Sequence, residues 1–481
     1  MLSIWEDEQL LGKLMLNYKH FSLLILTSFL FSPSTSFASE PDFDLASRRV
    51  AIIGAGASGL SAADALMQRG YENITVYEEK DRVGGKVLST NFNDHMYELG
   101  AFWAGDGYEV IENLAEKYGV TFLAEELDYK VQKSVQGPKY ELQDYLQENF
   151  SALEIASNIY HWMQVQRKFG YLQEAGSFFE PIHPDLTLTF SEFIKLYKIE
   201  AFALSFRPFW IGCGYGYYEK TPAIYVLKLM LGALDYSLKD FIGVLIPFGD
   251  GYKNGLKKAQ GGYQKIWTNL AATLPDLRLN ARVEAMKRYT KDNQDKIDIL
   301  SNGQWETYDT VIVSTDLSTA LNFLDYTELE YRLFSQVKNY RYVTQLFETD
   351  GLDYDHSTMI FMDYNGTIDQ IGKPTAMVNR FFAPDIWVSG QIVPWNYTRN
   401  AVDQSLQNDI AELGGNIVTI HKRADWKYFP HVDGKSLRDG FYQKLMALQG
   451  QRGTWYVGGI INFETVESTA SYAQKLVKEN F

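Results

Sequence analysis

Val50-Ala51-Ile52-Ile53-Gly54-Ala55-Gly56-Ala57-Ser58-Gly59 decides how this chain is read. An apolar run of strand length is followed at once by G-x-G-x-x-G and then by a helical pattern from Leu60 to Arg69, so the order is strand, glycine loop, helix. That order suits a pyrophosphate held on backbone N–H groups at a helix N-terminus, where the partial positive charge lies and a β-carbon would block the approach. The second strand, Ile74 to Tyr77, ends in Glu78 and Glu79. A carboxylate about twenty residues beyond the loop is where a ribose hydroxyl pair can be gripped. The glycine pattern alone is a weak signal. Between a strand and a helix, and followed by Glu78, it reads as a dinucleotide site with Gly54, Gly56, Ala57, Ser58, Gly59, Glu78 and Glu79 as binding candidates.

Outward from this core come Glu78-Glu79-Lys80-Asp81-Arg82-Val83-Gly84-Gly85-Lys86 and Tyr97-Glu98-Leu99-Gly100-Ala101-Phe102-Trp103. With these runs the sequence resembles the flavin-containing amine oxidase superfamily, as a divergent member. The resemblance implies an α/β fold in which an FAD-binding Rossmann-type domain is interrupted by a mixed α+β substrate domain. It also implies that Gly84, Gly85 and Lys86 lie along the pyrophosphate, and that Gly100, Ala101, Phe102 and Trp103 approach the flavin ring. The family usually has arginine at the place of Lys86; lysine supplies the charge without the bidentate fork.

The chain returns to the cofactor more than once. Gly261 to Trp267 opens a helix, Leu277 to Lys287 alternates like a strand, and Asp309 to Thr315 reads as a buried strand. The resemblance implies that Val283 binds the adenine through backbone atoms. Thr454 to Val457 is a short strand leading to Gly458-Gly459, and Phe463 to Val477 reads as a helix. The resemblance points this last helix at flavin N1 and the C2 carbonyl, where negative charge develops on reduction. The expected FAD domain is therefore discontinuous, at 47–107, 258–322 and 425–481, and 108–257 with 323–424 form the substrate domain. In the latter, Glu109 to Tyr118 and Tyr140 to Phe169 have helical periodicity, and Thr189-Phe190-Ser191-Glu192 is a capping box. Tyr342 to Phe347 and Thr375 to Phe381 alternate like strands flooring a substrate cavity.

Composition narrows the partners. A length of 481 residues exceeds what one core usually supports. The net charge of -15 with no dense Lys/Arg run argues against nucleic acid. Cys213 is the single cysteine, which rules out disulfides within the chain and multi-cysteine zinc sites. It is read as a buried inert thiol rather than a nucleophile. None of the seven histidines has a partner at metal-ligating spacing, and no metal is expected; His431 is the one set among aromatic residues. Residues 1–38, with a start at Met15 as the favoured version, read as a secretory signal peptide: Lys19 precedes the apolar run Phe21 to Phe31, and Ser36-Phe37-Ala38 supplies small residues for cleavage. An uncleaved anchor is the alternative. The mature protein is expected in the periplasm or outside the cell, with no stable membrane span.

The catalytic expectation departs from the family. At the C-terminal strand end the family shows a Gly-Glu pair where this chain has Gly458-Gly459. The family's lysine near flavin N5 falls at Tyr342 or Arg341. Trp426 and Tyr428, in Trp426 to Val432, either wall the flavin face or fill the core, and this region is similar to relatives that act on large planar substrates or isomerise fatty-acid double bonds. With Tyr342, Trp426 and Tyr428 as catalytic candidates, the leading reading is an FAD-dependent oxidoreductase that takes a hydride from a small apolar substrate, an amine or another C–H donor. Without a second dinucleotide fingerprint, the electrons are expected to go to oxygen or another small acceptor. The alternatives are a flavin-dependent fatty-acid isomerase or dehydrogenase, and an exported FAD-containing binding protein.

Overall fold

The computed structural model describes residues 45–125, 129–233, 256–352, 359–379 and 383–481. The expected signal peptide lies outside the described residues. The elements that build the site are β1 (Arg49–Ile53), α1 (Ala57–Gln68), β2 (Asn73–Tyr77), α2 (Glu200–Gly212), β3 (Lys338–Asp350), β4 (Asn416–His431) and α3 (Val466–Asn480).

β1 is the centre of a five-stranded sheet in the order Thr454–Tyr456, Thr310–Val313, β1, β2, Asp276–Arg278. Every pairing in it is parallel. A parallel sheet is covered on both faces, which is why Val50 to Ile53 and Thr310 to Val313 are continuous buried runs rather than alternating ones. The strands come from widely separated parts of the chain, so the glycine loop after β1 has neighbours from all of them.

A second sheet of seven strands runs β4, β3, Ile386–Val393, Pro374–Asn379, Met359–Met362, Tyr129–Gln132, Lys139–Tyr140. It is antiparallel except where Met359–Met362 meets Tyr129–Gln132. The β3–β4 register pairs Tyr340 with Tyr428 and Tyr342 with Trp426. Side chains two apart share a face, so Tyr342, Thr344, Trp426 and Tyr428 stand together.

The structure redraws four boundaries. The helix expected over Tyr140 to Phe169 is two, Leu142–Asn149 and Ala152–Phe169, because Ser151 and Glu154 form a capping box that starts the second. The single strand expected over Leu277 to Lys287 is also two. Asp276–Arg278 joins the parallel sheet, Asn280 turns the chain at φ 51°, and Val283–Lys291 begins a three-stranded antiparallel sheet with Gln294–Ser301 and Gln304–Tyr308. Thr375 to Phe381 is the strand Pro374–Asn379, and residues 380–382 lie outside the described ones. The last helix starts at Val466 rather than Phe463, because Thr465 accepts from Ser468 N–H as its N-cap and Phe463 has φ 85°. Among the described residues no helix is long and apolar enough to cross a membrane.

Candidate active site

The glycine loop, the carboxyl ends of the parallel strands and the face of the β3–β4 pair enclose one cavity of about 720 Å³. Its floor at one end is the loop itself. Gly54 has φ 107°, a conformation only glycine adopts readily, and its N–H donates to Tyr77 O at 2.8 Å. A Cβ on Gly59 would lie 2.0 Å from Gly54 O, so this glycine lets α1 sit directly against the strand end. Gly56 differs: its φ is -80°, and a Cβ there would meet only Gly85 Cα, at 3.8 Å. The protein does not need a glycine at 56; the open space beside it belongs to the cavity.

Glu78 ends β2 facing the loop. One oxygen accepts from Ala55 N–H at 2.9 Å and the other from Lys80 N–H at 3.0 Å, which fixes the carboxylate while each oxygen keeps a free lone pair for a ligand hydroxyl. Glu79 is exposed on the rim. Gly84 bridges to Gly56, and both it and Gly85 have positive φ. Gly100 must also be glycine, since a Cβ would fall 2.1 Å from Lys86 O.

Lys86 does not extend freely along this corner. Its ammonium is ion-paired with Glu464 and lies 5.6 Å from the centre of the Tyr428 ring. Burial raises the Glu464 carboxyl above the ordinary carboxylate range, and Lys86 offsets only part of that. Close by, Asp316 pairs with Lys427 at 2.6 Å. Burial alone would raise the Asp316 carboxyl, but Lys427 holds it below its ordinary range. Thr315, Asp316 and Glu464 all line the cavity, and each has one buried oxygen that makes no well-formed hydrogen bond within the protein.

The far end is aromatic and apolar. Tyr342 donates to Gly212 O at 2.7 Å and its ring stacks on Tyr428 at 5.4 Å. Tyr215 packs on Tyr428 from the other direction at 5.5 Å. Burial raises the hydroxyl pKa of all three tyrosines, so they stay neutral. Of the two residues considered for the family's lysine position, Arg341 points away, to Asp425 and Tyr397 O, and Tyr342 is the one that lines the cavity. Trp426 is a fixed wall: its indole N–H donates to Leu99 O at 3.0 Å, and Lys80 stands over its ring at 5.7 Å, beside the nucleotide end. Cys213 is half-buried rather than buried and lines the cavity, where burial of its thiol pushes the pKa up to about 12 and keeps it protonated. His431 is a core residue, stacked on Phe429 and Tyr340, with burial lowering its pKa to about 4.

All the cofactor candidates from the sequence except Gly59 line this one cavity, as do Tyr342, Trp426 and Tyr428. Gly59 supports the loop from behind. Sequence reasoning assigned nothing to Glu464, Asp316 or Lys427, because no local pattern marks a charged residue whose partner lies more than a hundred residues away. Among the described residues no group of three His, Cys, Asp or Glu is placed to hold a metal ion.

α3 begins at the cavity: Thr465, Val466 and Thr469 line it, so the positive end of the helix dipole faces the site. Glu467 in its first turn accepts from Val110 and Ile111 N–H at 3.2 and 3.0 Å, tying α3 to the helix Glu109–Lys117. Burial raises its pKa to about 7, against these two donors and with Glu109 and Glu112 adding to the rise. Unfolded chain loses this proton near pH 4.5 and folded chain near 7, so the folded state holds more protons in between and stability falls as pH rises through that window, by about 3 kcal/mol. Glu467→Gln is expected to flatten that part of the profile in denaturant titrations at stepped pH; an unchanged slope between pH 5 and about 7 would assign it elsewhere.

A parallel sheet with a glycine loop at its carboxyl end, a carboxylate fixed beside that loop and a second sheet roofing an aromatic chamber have the form of a dinucleotide-binding protein. The model of the flavin containing amine oxidoreductases matches residues 57–345, and the chain belongs to that family. The family binds FAD, and the glycine cradle with its unpartnered polar atoms fits that cofactor. The polyenoic fatty acid isomerase of Ptilota filicina is 25% identical over 226 residues, 42% of this chain and 44% of the relative. An FAD-dependent oxidoreductase of Monascus ruber is 22% identical over 476 residues, covering 91% and 94%. Among solved structures, a CLA-producing fatty acid isomerase from P. acnes superposes with a TM-score of 0.79 at 24% identity, covering 90% and 99%. Wild-type putrescine oxidase bound to putrescine gives 0.66 at 16%, covering 90% and 98%.

Proposed function

We propose that this protein uses FAD to take a hydride from a C–H bond of an apolar substrate, and that the substrate is an unsaturated fatty acid whose double bond is moved rather than oxidised. The observation that carries this reading is the distribution of charge around the cavity. Among the described residues, none of the lining contributed by 108–257 and 323–424 is charged. The charged lining side chains come from 47–107, 258–322 and 425–481, with Asp425 and Lys427 at the end of β4 that meets the nucleotide end. Tyr342, to which the resemblance brought the family's lysine position, is neutral and tied to Gly212 O, which supports a substrate that is not an amine. The names of two similar proteins, both fatty acid isomerases, support the same substrate class.

When bound, FAD supplies the hydride acceptor at N5. The protein's part is to hold and to exclude. Glu78 and the loop 54–59 fix the nucleotide end, and the N-terminus of α3 favours negative charge inside the cavity. Phe102, Trp103, Phe209, Leu256 and Met359 form apolar walls that exclude water from the reacting carbon. Among the described residues these walls carry no ionisable side chain, and the tyrosines beside them are held neutral, which suits a hydride leaving and returning with no proton chemistry.

Net oxidation with a small acceptor is the second reading, favoured by the similarity to the Monascus ruber oxidoreductase over nearly its whole length. Anaerobic spectra of the FAD-loaded protein with a panel of amines and polyunsaturated fatty acids separate the two. A conjugated product formed from a fatty acid over many turnovers without any acceptor, with the flavin band persisting, is expected; lasting bleaching by the fatty acid would instead mean net oxidation. Bleaching by an amine, with recovery in air, would replace the isomerase reading by an amine oxidase.

A further inference from the structure

Gly459 leaves a gap at the carboxyl end of the strand Thr454–Tyr456, and the structure shows what occupies it. A Cβ on Gly459 would lie 3.0 Å from Glu464 Cβ and 3.2 Å from Glu464 Cδ. The Glu464 side chain therefore fills the space that a side chain at 459 would take, reaching it from the turn before α3 rather than from the strand. The chain goes to some cost to put it there. Phe463, immediately before it, has φ 85° and ψ 154°, a region of backbone space that is essentially glycine's, and is held in it by ring packing against Tyr215 at 5.2 Å and Phe429 at 5.7 Å.

The Glu464 side chain is nine-tenths buried and lines the cavity. One oxygen is paired with Lys86 and the Phe429 N–H lies close enough to the carboxylate to favour its charged form; Oε2 makes no well-formed hydrogen bond within the protein. Asp316 with its partner Lys427, and the Tyr215 and Tyr428 rings, are the other ionisable groups facing it. An open carboxylate oxygen in a buried place wants a hydrogen-bond donor. The pyrophosphate of FAD offers only acceptors, so it does not satisfy Oε2. The ribityl chain carries three hydroxyl donors and connects the pyrophosphate to the ring. Glu464 lies between Lys86, on the glycine corner, and Tyr428, on the aromatic chamber, as a group meeting that chain must.

We propose that Glu464 is an FAD-binding residue that accepts a hydrogen bond from the ribityl chain through its open oxygen, with Lys86 holding the carboxylate in place. It supplies from the helix side the carboxylate that Gly459 cannot supply from the strand. This inference rests on FAD binding and not on the substrate, so its failure leaves the isomerase reading untouched.

The test compares FAD with ADP, which shares the adenosine and pyrophosphate but has no ribityl chain. Apoprotein from the full chain is titrated with FAD by flavin fluorescence quenching, and with ADP by calorimetry, for the wild type, Glu464→Ala and Glu464→Gln. Removing a hydrogen bond to a charged group is expected to weaken FAD by about tenfold to a hundredfold in Glu464→Ala while ADP affinity stays within about twofold. Glu464→Gln, which keeps an acceptor of the same shape, is expected to lose less than Glu464→Ala, and it reads the same contrast should the alanine variant fold poorly. An equal loss of FAD and ADP would mean that Glu464 acts only through Lys86 on the pyrophosphate, and an unchanged FAD affinity would mean that it does not touch the cofactor; either result overturns the proposal.

Discussion

Gly56→Ala is expected to leave the apoprotein as stable as the wild type and to weaken FAD binding by about a hundredfold or more, equivalent to about 2.7 kcal/mol. The first half follows from geometry. Gly56 has φ -80° and ψ -178°, which alanine adopts without strain, and the added carbon meets only Gly85 Cα at an ordinary 3.8 Å. The second half follows because the same carbon projects into the cavity between Gly56 and the glycine corner, where a pyrophosphate must approach the backbone. Gly59→Ala is the contrast. Its carbon would fall 2.0 Å from Gly54 O and 3.0 Å from Ser314 Oγ, so α1 must shift and both stability and FAD binding are expected to fall. Thermal melts of the two apoproteins beside FAD titrations read the difference. FAD binding by Gly56→Ala at wild-type strength would place the pyrophosphate somewhere else.

The second large effect lies outside the cavity. Arg288 and Glu330 are fully buried and joined by two hydrogen bonds, at 2.6 and 2.9 Å. Tyr456 donates to the same carboxylate at 2.6 Å, and Thr327 N–H does so from its own capping box. Arg452 closes the group by donating to Arg288 O and Asp325. The network fastens the antiparallel sheet 283–308 and the helix Glu328–Phe334 to the last strand of the parallel sheet. Tyr456 is one residue from Val457, which lines the cavity. Glu330→Ala leaves the buried Arg288 guanidinium with Asp325, at 2.6 Å, as its one remaining carboxylate partner and two of its nitrogens without Glu330, and is expected to cost about 2–3 kcal/mol.

The pH dependence of that pair has a definite sign. Burial by itself would raise the Glu330 carboxyl, but Arg288, Thr327 N–H and Tyr456 outweigh it and bring the pKa down to about 2. A depressed carboxylate contributes fully above its unfolded value near 4.5, and that contribution is lost as pH falls towards 2. Glu330→Gln is therefore expected to unfold at lower denaturant concentration than the wild type at neutral pH, with the gap closing on acidification. A gap of constant size down to about pH 2 would show that the pair adds no pH-dependent stability.

What the sequence by itself determined is the nucleotide end. The run Val50 to Gly59, with Glu78 and the Gly84-Gly85 pair, is legible because each feature there is local: apolar residues buried on both faces of a strand, and glycines required by a close backbone approach. The capping box at Thr189 was legible for the same reason, and the one at Ser151, missed within a longer helical period, carried the same signal. What only the tertiary structure decided are the contacts made across the chain. The choice of Tyr342 over Arg341 depended on β-strand register, which a one-residue slip reverses and which no periodicity in β3 alone could fix. The split of Leu277 to Lys287 depended on β2 needing a parallel neighbour at Asp276–Arg278 before the chain could turn away. Glu464 is the clearest case. It lies 378 residues from Lys86 in sequence, and only the folding of α3 against the glycine corner, with Phe463 held in a backbone conformation its own side chain disfavours, brings the carboxylate to the empty place beside Gly459.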